Sequence, residues 1–200
     1  MNLTIDNQLV SLADLREAWR RPLKVSLGSE ARRCIAESNE LINEYLASGA
    51  EVYGVTTGFG QFANVHIGHE KLLELQENLV RSHAMGVGEN LDDDVVRLVM
   101  LMKVIALAEG FSGVRLELVE ALCDLINNDI LPCIPSQGSV GASGDLAPLA
   151  HMAGVLIGIG EARVNGKVLS AGAALANAGL EPLTLAPKEG LALLNGTQVS

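Results

Sequence analysis

Asp92 to Gly110 constrains the fold more than any other stretch of the chain. Three acids, Asp92-Asp93-Asp94, stand where a helix N-terminus favours negative charge. From Val95 to Ala108 the residues are then apolar almost all the way round, interrupted only by Arg97 and Lys103, and Gly110 ends the run. A helix apolar on every side has to be covered on every side. The run is too short and too interrupted to span a bilayer. It predicts a buried helix with other helices around it, in a mainly α fold.

The remaining segments supply those neighbours. Ser11-Leu-Ala-Asp14 opens a short helix through Trp19, and Pro22 closes it. From Ser29, residues Ala31, Cys34, Ile35, Ser38, Leu41, Ile42, Tyr45 and Leu46 fall at helical spacing, with Gly49 as the C-terminal cap. A helix is expected from about His69 to His83, with Leu72, Gln76, Leu79 and His83 on one face. Another is expected from Val114 to about Asn128, with Leu118, Leu122, Leu125 and Ile126 inward. Leu146 to Gly158 reads as a closely packed helix. Ser170 caps a small alanine-rich helix ended by Gly179, and Lys188 to Leu194 makes a turn or two. The β content is small. A hairpin is expected from Leu3-Thr4-Ile5 and Gln8-Leu9-Val10 around Asp6-Asn7, and Glu51 to Val55 and Leu131 to Pro135 read as extended. Ala162 to Leu169 forms a second hairpin, because Asn165-Gly166 between alternating residues signals a type I′ turn.

Two hundred residues suit one domain, 1–200. With 48% hydrophobic residues but only 3% aromatic ones, the apolar mass is aliphatic, which favours helix on helix. That excess predicts surface buried against other chains or against further sequence. The charge of −10, from 14 basic and 24 acidic residues without a basic block, argues against nucleic acid or an anionic membrane as partner. Cys34, Cys123 and Cys133 form no CxxC, and Met1 to Asp6 has no signal-peptide character. Both point to reduced thiols and a cytoplasmic setting.

The chemistry concentrates in Gly138-Ser-Val-Gly-Ala-Ser-Gly-Asp-Leu-Ala-Pro-Leu-Ala-His151. Asp145 or Ser143 before Leu-Ala-Pro reads as a helix N-cap with Pro148 in the first turn. The loop therefore delivers Ala142-Ser143-Gly144 to a helix N-terminus, where backbone amides favour negative charge. Glycines 138, 141 and 144 are spaced GxxGxxG without a following lysine, so neither a dinucleotide site nor a phosphate loop is indicated. Asp145 breaks the nucleophile-elbow pattern around Ser143. His66-Ile-Gly-His69-Glu70 is not the zinc pattern HExxH, and no metal is expected. Two readings of Ala142-Ser143-Gly144 stay open on the tripeptide alone. One is an ordinary capping turn, the commoner use of Ser and Gly. The other is backbone cyclisation, since glycine lacks the Cβ that would block attack of its nitrogen on the Ala142 carbonyl.

The loop, together with Tyr53-Gly-Val-Thr-Thr-Gly-Phe-Gly60, Gln76-Glu-Asn-Leu-Val-Arg-Ser-His-Ala84, Gly86-Val-Gly88 and Glu189-Gly-Leu-Ala-Leu-Leu-Asn-Gly-Thr-Gln198, resembles the aromatic amino-acid ammonia-lyases, their histidine branch most of all. The resemblance covers essentially the whole chain and matches the family's N-terminal part. It implies that Ala142, Ser143 and Gly144 become a 4-methylideneimidazol-5-one within the loop 138–146, with Asp145 assisting, and that no metal or dissociable cofactor is needed. It also implies Tyr53 as the base that removes a β-proton, and His83 and Asn195 as substrate contacts. Gly60 and Phe59 would lie in a loop closing over the ligand. Ala84 after His83 suits the histidine branch, so the implied reaction takes L-histidine to trans-urocanate and ammonia. A tyrosine or phenylalanine lyase or an aminomutase is the related alternative. A non-catalytic truncated or subunit-binding fragment is the alternative of another class. Family members are homotetramers more than twice this length. The resemblance thus implies a portion that lacks the long central helix bundle, the carboxylate-binding arginine, a second site tyrosine and a late glutamate, and that is inactive alone.

Overall fold

A computed structural model of the protein describes residues 1–6, 9–49, 52 and 69–200. Helix α4 (Asp93–Ala108) is its centre, with Asp92 at the N-cap. Val96, Val99, Met100, Leu101, Val104 and Leu107 of α4 are each buried. Full burial of one such side chain contributes roughly 1.5–3 kcal/mol. Around α4 pack α1 (Leu12–Arg20), α2 (Ser29–Ser48) and α5 (Leu116–Asn127). Ser11 caps α1 in a reciprocal capping box with Asp14, as its sequence predicts. Gly49, in the left-handed region, ends α2. In the second half of α2, Leu41 is 56% and Tyr45 50% exposed, although both fall on the helix's apolar stripe.

The expected N-terminal hairpin does not form. Strand β1 (Asn2–Ile5) instead pairs in parallel with β2 (Lys24–Leu27), from Asn2 opposite Lys24 to Ile5 opposite Leu27. Helix α1 is the crossover that parallel pairing requires. The pairing buries Ile5, Val25 and Leu27, whereas Leu9 stays 96% exposed; residues 7 and 8 of the expected hairpin lie outside the described residues. On the other edge of β2 the Asn127 side chain mimics a strand, accepting from the Val25 amide at 2.7 Å and donating to its carbonyl at 2.9 Å.

Helix α3 (His69–His83) leads through a glycine turn into β3 (Val87–Asn90). This strand is also absent from the pattern of the sequence, because its partner is distant: it pairs antiparallel with β5 (Pro135–Gln137). Strands β4 (Leu131–Pro132), β6 (Glu161–Val164) and β7 (Lys167–Ser170) form an antiparallel sheet. The turn between β6 and β7 has φ 51° at Asn165 and 74° at Gly166, both in the left-handed region that a type I′ turn demands. Helices α6 (Leu146–Leu156), α7 (Ala171–Asn177) and α8 (Glu189–Leu194) complete the chain, and α3, α6 and α8 pack on one another. One cluster of buried apolar side chains reaches from Ile5 to Leu194. No helix among the described residues is long and apolar enough to cross a membrane.

Candidate active site

The glycine loop joins β5 to α6, and the segment after α8 forms its wall. Gly144 (φ 97°) lies so close to Gly196 that a Cβ at position 144 would stand 2.4 Å from the Gly196 carbonyl oxygen. The Asp145 amide donates to that same oxygen at 2.7 Å. Asn195 Nδ2 donates to the Ser143 carbonyl at 3.3 Å. Ala142 and Ser143 are exposed, Gly144 half-buried and Asp145 buried. The tripeptide is thus held at its base and open at its tip.

Asp145 occupies the N-cap position of α6, but neither its side chain nor that of Ser143 makes the expected capping bond. The Asp145 carboxylate turns inward instead. It accepts the Ser139 and Ser200 hydroxyls at 2.6 Å each and the Val199 and Ser200 amides at 2.9 Å each. Burial opposes its charge, but these four donors outweigh burial, and Asp145 ionises below the usual carboxylate range. It ties the start of the loop to residues 199–200. Pro148 in the first turn of α6 removes one amide that would otherwise lack a partner.

Helix α8, which delivers Asn195, is fixed on two sides. Its Gly190 amide donates to Gln76 Oε1 of α3 at 3.0 Å, and a Cβ on Gly190 would come within 2.8 Å of the Gln76 carbonyl. Glu189 is fully buried; it accepts from the Arg115 amide and Nε at 3.0 Å, from Arg115 Nη2 at 2.8 Å and from the Ala186 amide at 2.7 Å. Beneath the turn after α8, Lys103 of α4 donates to the Asn195 carbonyl at 2.8 Å. Lys103 is 2% exposed, and burial pushes its ammonium down to about 8.

His83, half-buried at the end of α3, places Nδ1 2.8 Å from the Leu79 carbonyl. A carbonyl only accepts, so the proton sits on Nδ1 and a neutral ring keeps Nε2 as an acceptor. The turn that follows reaches the base of the loop. The Gly86 amide donates to His151 Nε2 of α6 at 3.0 Å, and a Cβ on Gly138 would be 3.1 Å from Gly86 Cα. Burial lowers the pKa of His151, which fits its acceptor role. Among the described residues no hydrogen bond joins His83 to Ser143 or Asn195. Tyr53, Phe59 and Gly60, and the extended segment expected at 51–55, fall in the stretch outside the described residues, where only Val52 is described.

The structure therefore brings Ser143, Gly144, Asp145 and Asn195 together, with the end of α3 against the loop's base. Sequence reasoning misses Lys103 as a site residue, although one of only two cations in the apolar run of α4 is the signal. Gly196 was visible only as half of an Asn-Gly pair. An open groove of about 840 Å³, lined by Trp19, Arg97, Arg163 and the acids 92–94, includes none of the loop's residues, and Arg163 is already paired with Asp93 at 2.5 Å. No cluster of three or more possible metal-ligating residues occurs among the described residues.

Comparison with known proteins adds four observations. A family model described as aromatic amino acid lyase matches residues 10–200. A histidine ammonia-lyase of Vibrio cholerae serotype O1 is 54% identical over 200 residues, covering all of this chain and 39% of that protein. The solved histidine ammonia-lyase of Trypanosoma cruzi superposes with a TM-score of 0.90 at 36% identity, covering 100% of this chain and 38% of that one. The solved phenylalanine aminomutase of Pantoea agglomerans superposes with a TM-score of 0.92 at 35% identity, covering 99% and 38%. The chain spans about 39% of the length of the curated relatives it matches.

Proposed function

The chain belongs to the aromatic amino acid lyase family, and from that premise we propose that it is the N-terminal portion, residues 1–200, of a histidine ammonia-lyase. The whole protein would eliminate ammonia from L-histidine to give trans-urocanate, as a cytoplasmic homotetramer. The observation that carries this is the fit of Gly144 against Gly196, with Asn195 on the Ser143 carbonyl.

That fit supports cyclisation of Ala142-Ser143-Gly144. A wall 2.4 Å from the place of a Cβ admits only glycine at 144, the residue whose nitrogen is least hindered. The Gly144 nitrogen bonds to the Ala142 carbonyl carbon, and the Ala142 oxygen leaves as water with the Gly144 and Ser143 amide protons. Ser143 then loses its hydroxyl and its Cα hydrogen as a second water. The resulting methylideneimidazolone supplies electrophilic chemistry that no ordinary side chain offers. Asn195 donates to the Ser143 carbonyl, which becomes the ring oxygen, and so draws electrons toward it. Asp145, anionic and held by four donors, fixes the loop's start and is not a proton donor. His83 offers Nε2 to an N–H of the substrate imidazole. Tyr53 takes the β-proton, which requires positive potential to lower an ordinary phenol pKa of about 10.

The histidine assignment over phenylalanine, tyrosine or aminomutase chemistry rests on Ala84 beside His83 and on the histidine ammonia-lyases among the relatives. Intact mass tests the chemistry: the purified chain is expected to weigh two waters less than its sequence, and Ser143→Ala is not. An unmodified mass would overturn self-cyclisation in this chain. No urocanate absorbance is expected from the 200-residue chain with L-histidine, and its appearance would refute the dependence on further sequence.

A further inference from the structure

We propose that Lys103 is a positioning residue for the self-cyclisation of Ala142-Ser143-Gly144: its buried ammonium grips the Asn195 carbonyl and so sets the Asn195-Gly196 turn against Gly144 and Asp145. This rests on the cyclisation reading above. The connection is continuous in hydrogen bonds and contact. Lys103 Nζ donates to the Asn195 oxygen at 2.8 Å, the next carbonyl, of Gly196, accepts the Asp145 amide at 2.7 Å, and the Gly196 backbone forms the wall behind Gly144. From the same turn the Asn195 side chain reaches the Ser143 carbonyl. One cation thus holds the turn from which these contacts with residues 143–145 are made.

Packing alone does not account for a lysine here. Val99, Met100 and Leu107, three and four residues from Lys103 on α4, are buried, and a methionine would fill the same volume without desolvating a charge. Arg97, the other cation of α4, has a counter-charge in Asp129 at 3.4 Å. Lys103 makes no ion pair among the described residues, and the Asn195 carbonyl is its one hydrogen-bond partner there. An ammonium that desolvation pulls down to about 8 is held by geometry and not by a salt bridge. What it holds is the turn that shapes the loop.

Amide exchange and intact mass on the same samples test this. In Lys103→Met, exchange at the Asp145 amide is expected to quicken roughly tenfold or more, the scale of a lost hydrogen bond to a charged group. Leu122 and Leu125 of α5 should keep their rates. The two-water mass deficit should develop roughly tenfold more slowly, and Lys103→Arg, which can still donate to the carbonyl, should restore much of both. An unchanged Asp145 amide in Lys103→Met overturns the proposal. So does equal loss of protection at Asp145 and in α5, because that marks Lys103 as a general support of the core. If the wild-type chain shows no two-water deficit, the cyclisation reading fails, and the Asp145 exchange still decides whether Lys103 holds the turn.

Discussion

The chain uses the dipeptide Asn-Gly twice, at 165–166 and at 195–196, and the two copies do different things. Asn165-Gly166 is a local device. Both residues have positive φ, nothing lies within 4 Å of a Cβ built on Gly166, and the turn only has to reverse the chain between β6 and β7. Asn195-Gly196 is a tertiary device. Asn195 keeps an ordinary backbone (φ −82°, ψ 119°), while its carbonyl, its side chain and the following glycine each hold something distant: Lys103, Ser143 and Gly144. The first glycine serves backbone conformation, whereas the second lends its backbone as the wall against which Gly144 must lack a Cβ. Glycine identity is therefore weak evidence for a site until the atoms opposite it are known.

The strongest way to break this comparison is at Gly144, which combines both demands. Gly144→Ala places a methyl against the Gly196 backbone at φ 97°, and is expected to cost about 3 kcal/mol or more and to abolish the two-water deficit. Gly144→Asn should fare no better, although asparagine tolerates the left-handed region, because the wall remains. Denaturant titration and intact mass check both. A mild effect of either would mean that Gly144 resembles Gly166 after all.

Asp145 comes next. Asp145→Asn keeps the size but turns one acceptor into a donor facing hydroxyls and amides, and should cost about 1–3 kcal/mol at neutral pH. The sign with pH follows from the depressed ionisation of the folded carboxylate. Its contribution is fully present above the unfolded value of about 3.9 and is lost as pH falls through the lower folded value. The stability gap between wild type and Asp145→Asn should hence be constant at neutral pH and close on acidification. A gap that widened toward low pH would contradict an anionic Asp145.

At the hairpin the effects are smaller and separable. Gly166→Ala should cost about 1 kcal/mol, the left-handed penalty of a non-glycine residue, and Gly166→Asn should recover most of it. Recovery at 166 without recovery at 144 is the sharpest form of the contrast, and thermal or denaturant unfolding of the four variants measures it.

What could be read from the sequence follows the same division. The helices at 29–48, 93–108 and 116–127 and the hairpin turn at 165–166 rest on periodicity, caps and turn residues within a few positions of each other. The failures involve distant partners. Leu3-Thr4-Ile5 looks like half of a hairpin because its true partner, Lys24–Leu27, lies beyond a helix, and β3 is invisible without β5. Asp145 looks like a helix cap because nothing local shows that Ser139, Val199 and Ser200 converge on its carboxylate. The loop itself stood out through its motif, whereas the cation beneath it stood 92 residues from the carbonyl it holds.

The smallest expected effect on stability is the most informative about the site. Asn165→Ala must place alanine at φ 51° and should cost about 1 kcal/mol. Asn195→Ala carries no such penalty, since φ −82° suits any residue, and the side chain it removes is exposed, with one bond at 3.3 Å. Its stability should stay within about 0.5 kcal/mol of wild type. The Lys103 contact survives as well, because it is made to the backbone. What is lost is the donor on the Ser143 carbonyl, so the two-water deficit should develop at least about tenfold more slowly in a chain that unfolds normally. The two alanine variants thus exchange their profiles, one moving stability and the other the covalent chemistry. If Asn195→Ala instead lowered stability and left the mass deficit intact, Asn195 would be a helix-ending residue like many others, and the second Asn-Gly pair would be no more than a turn.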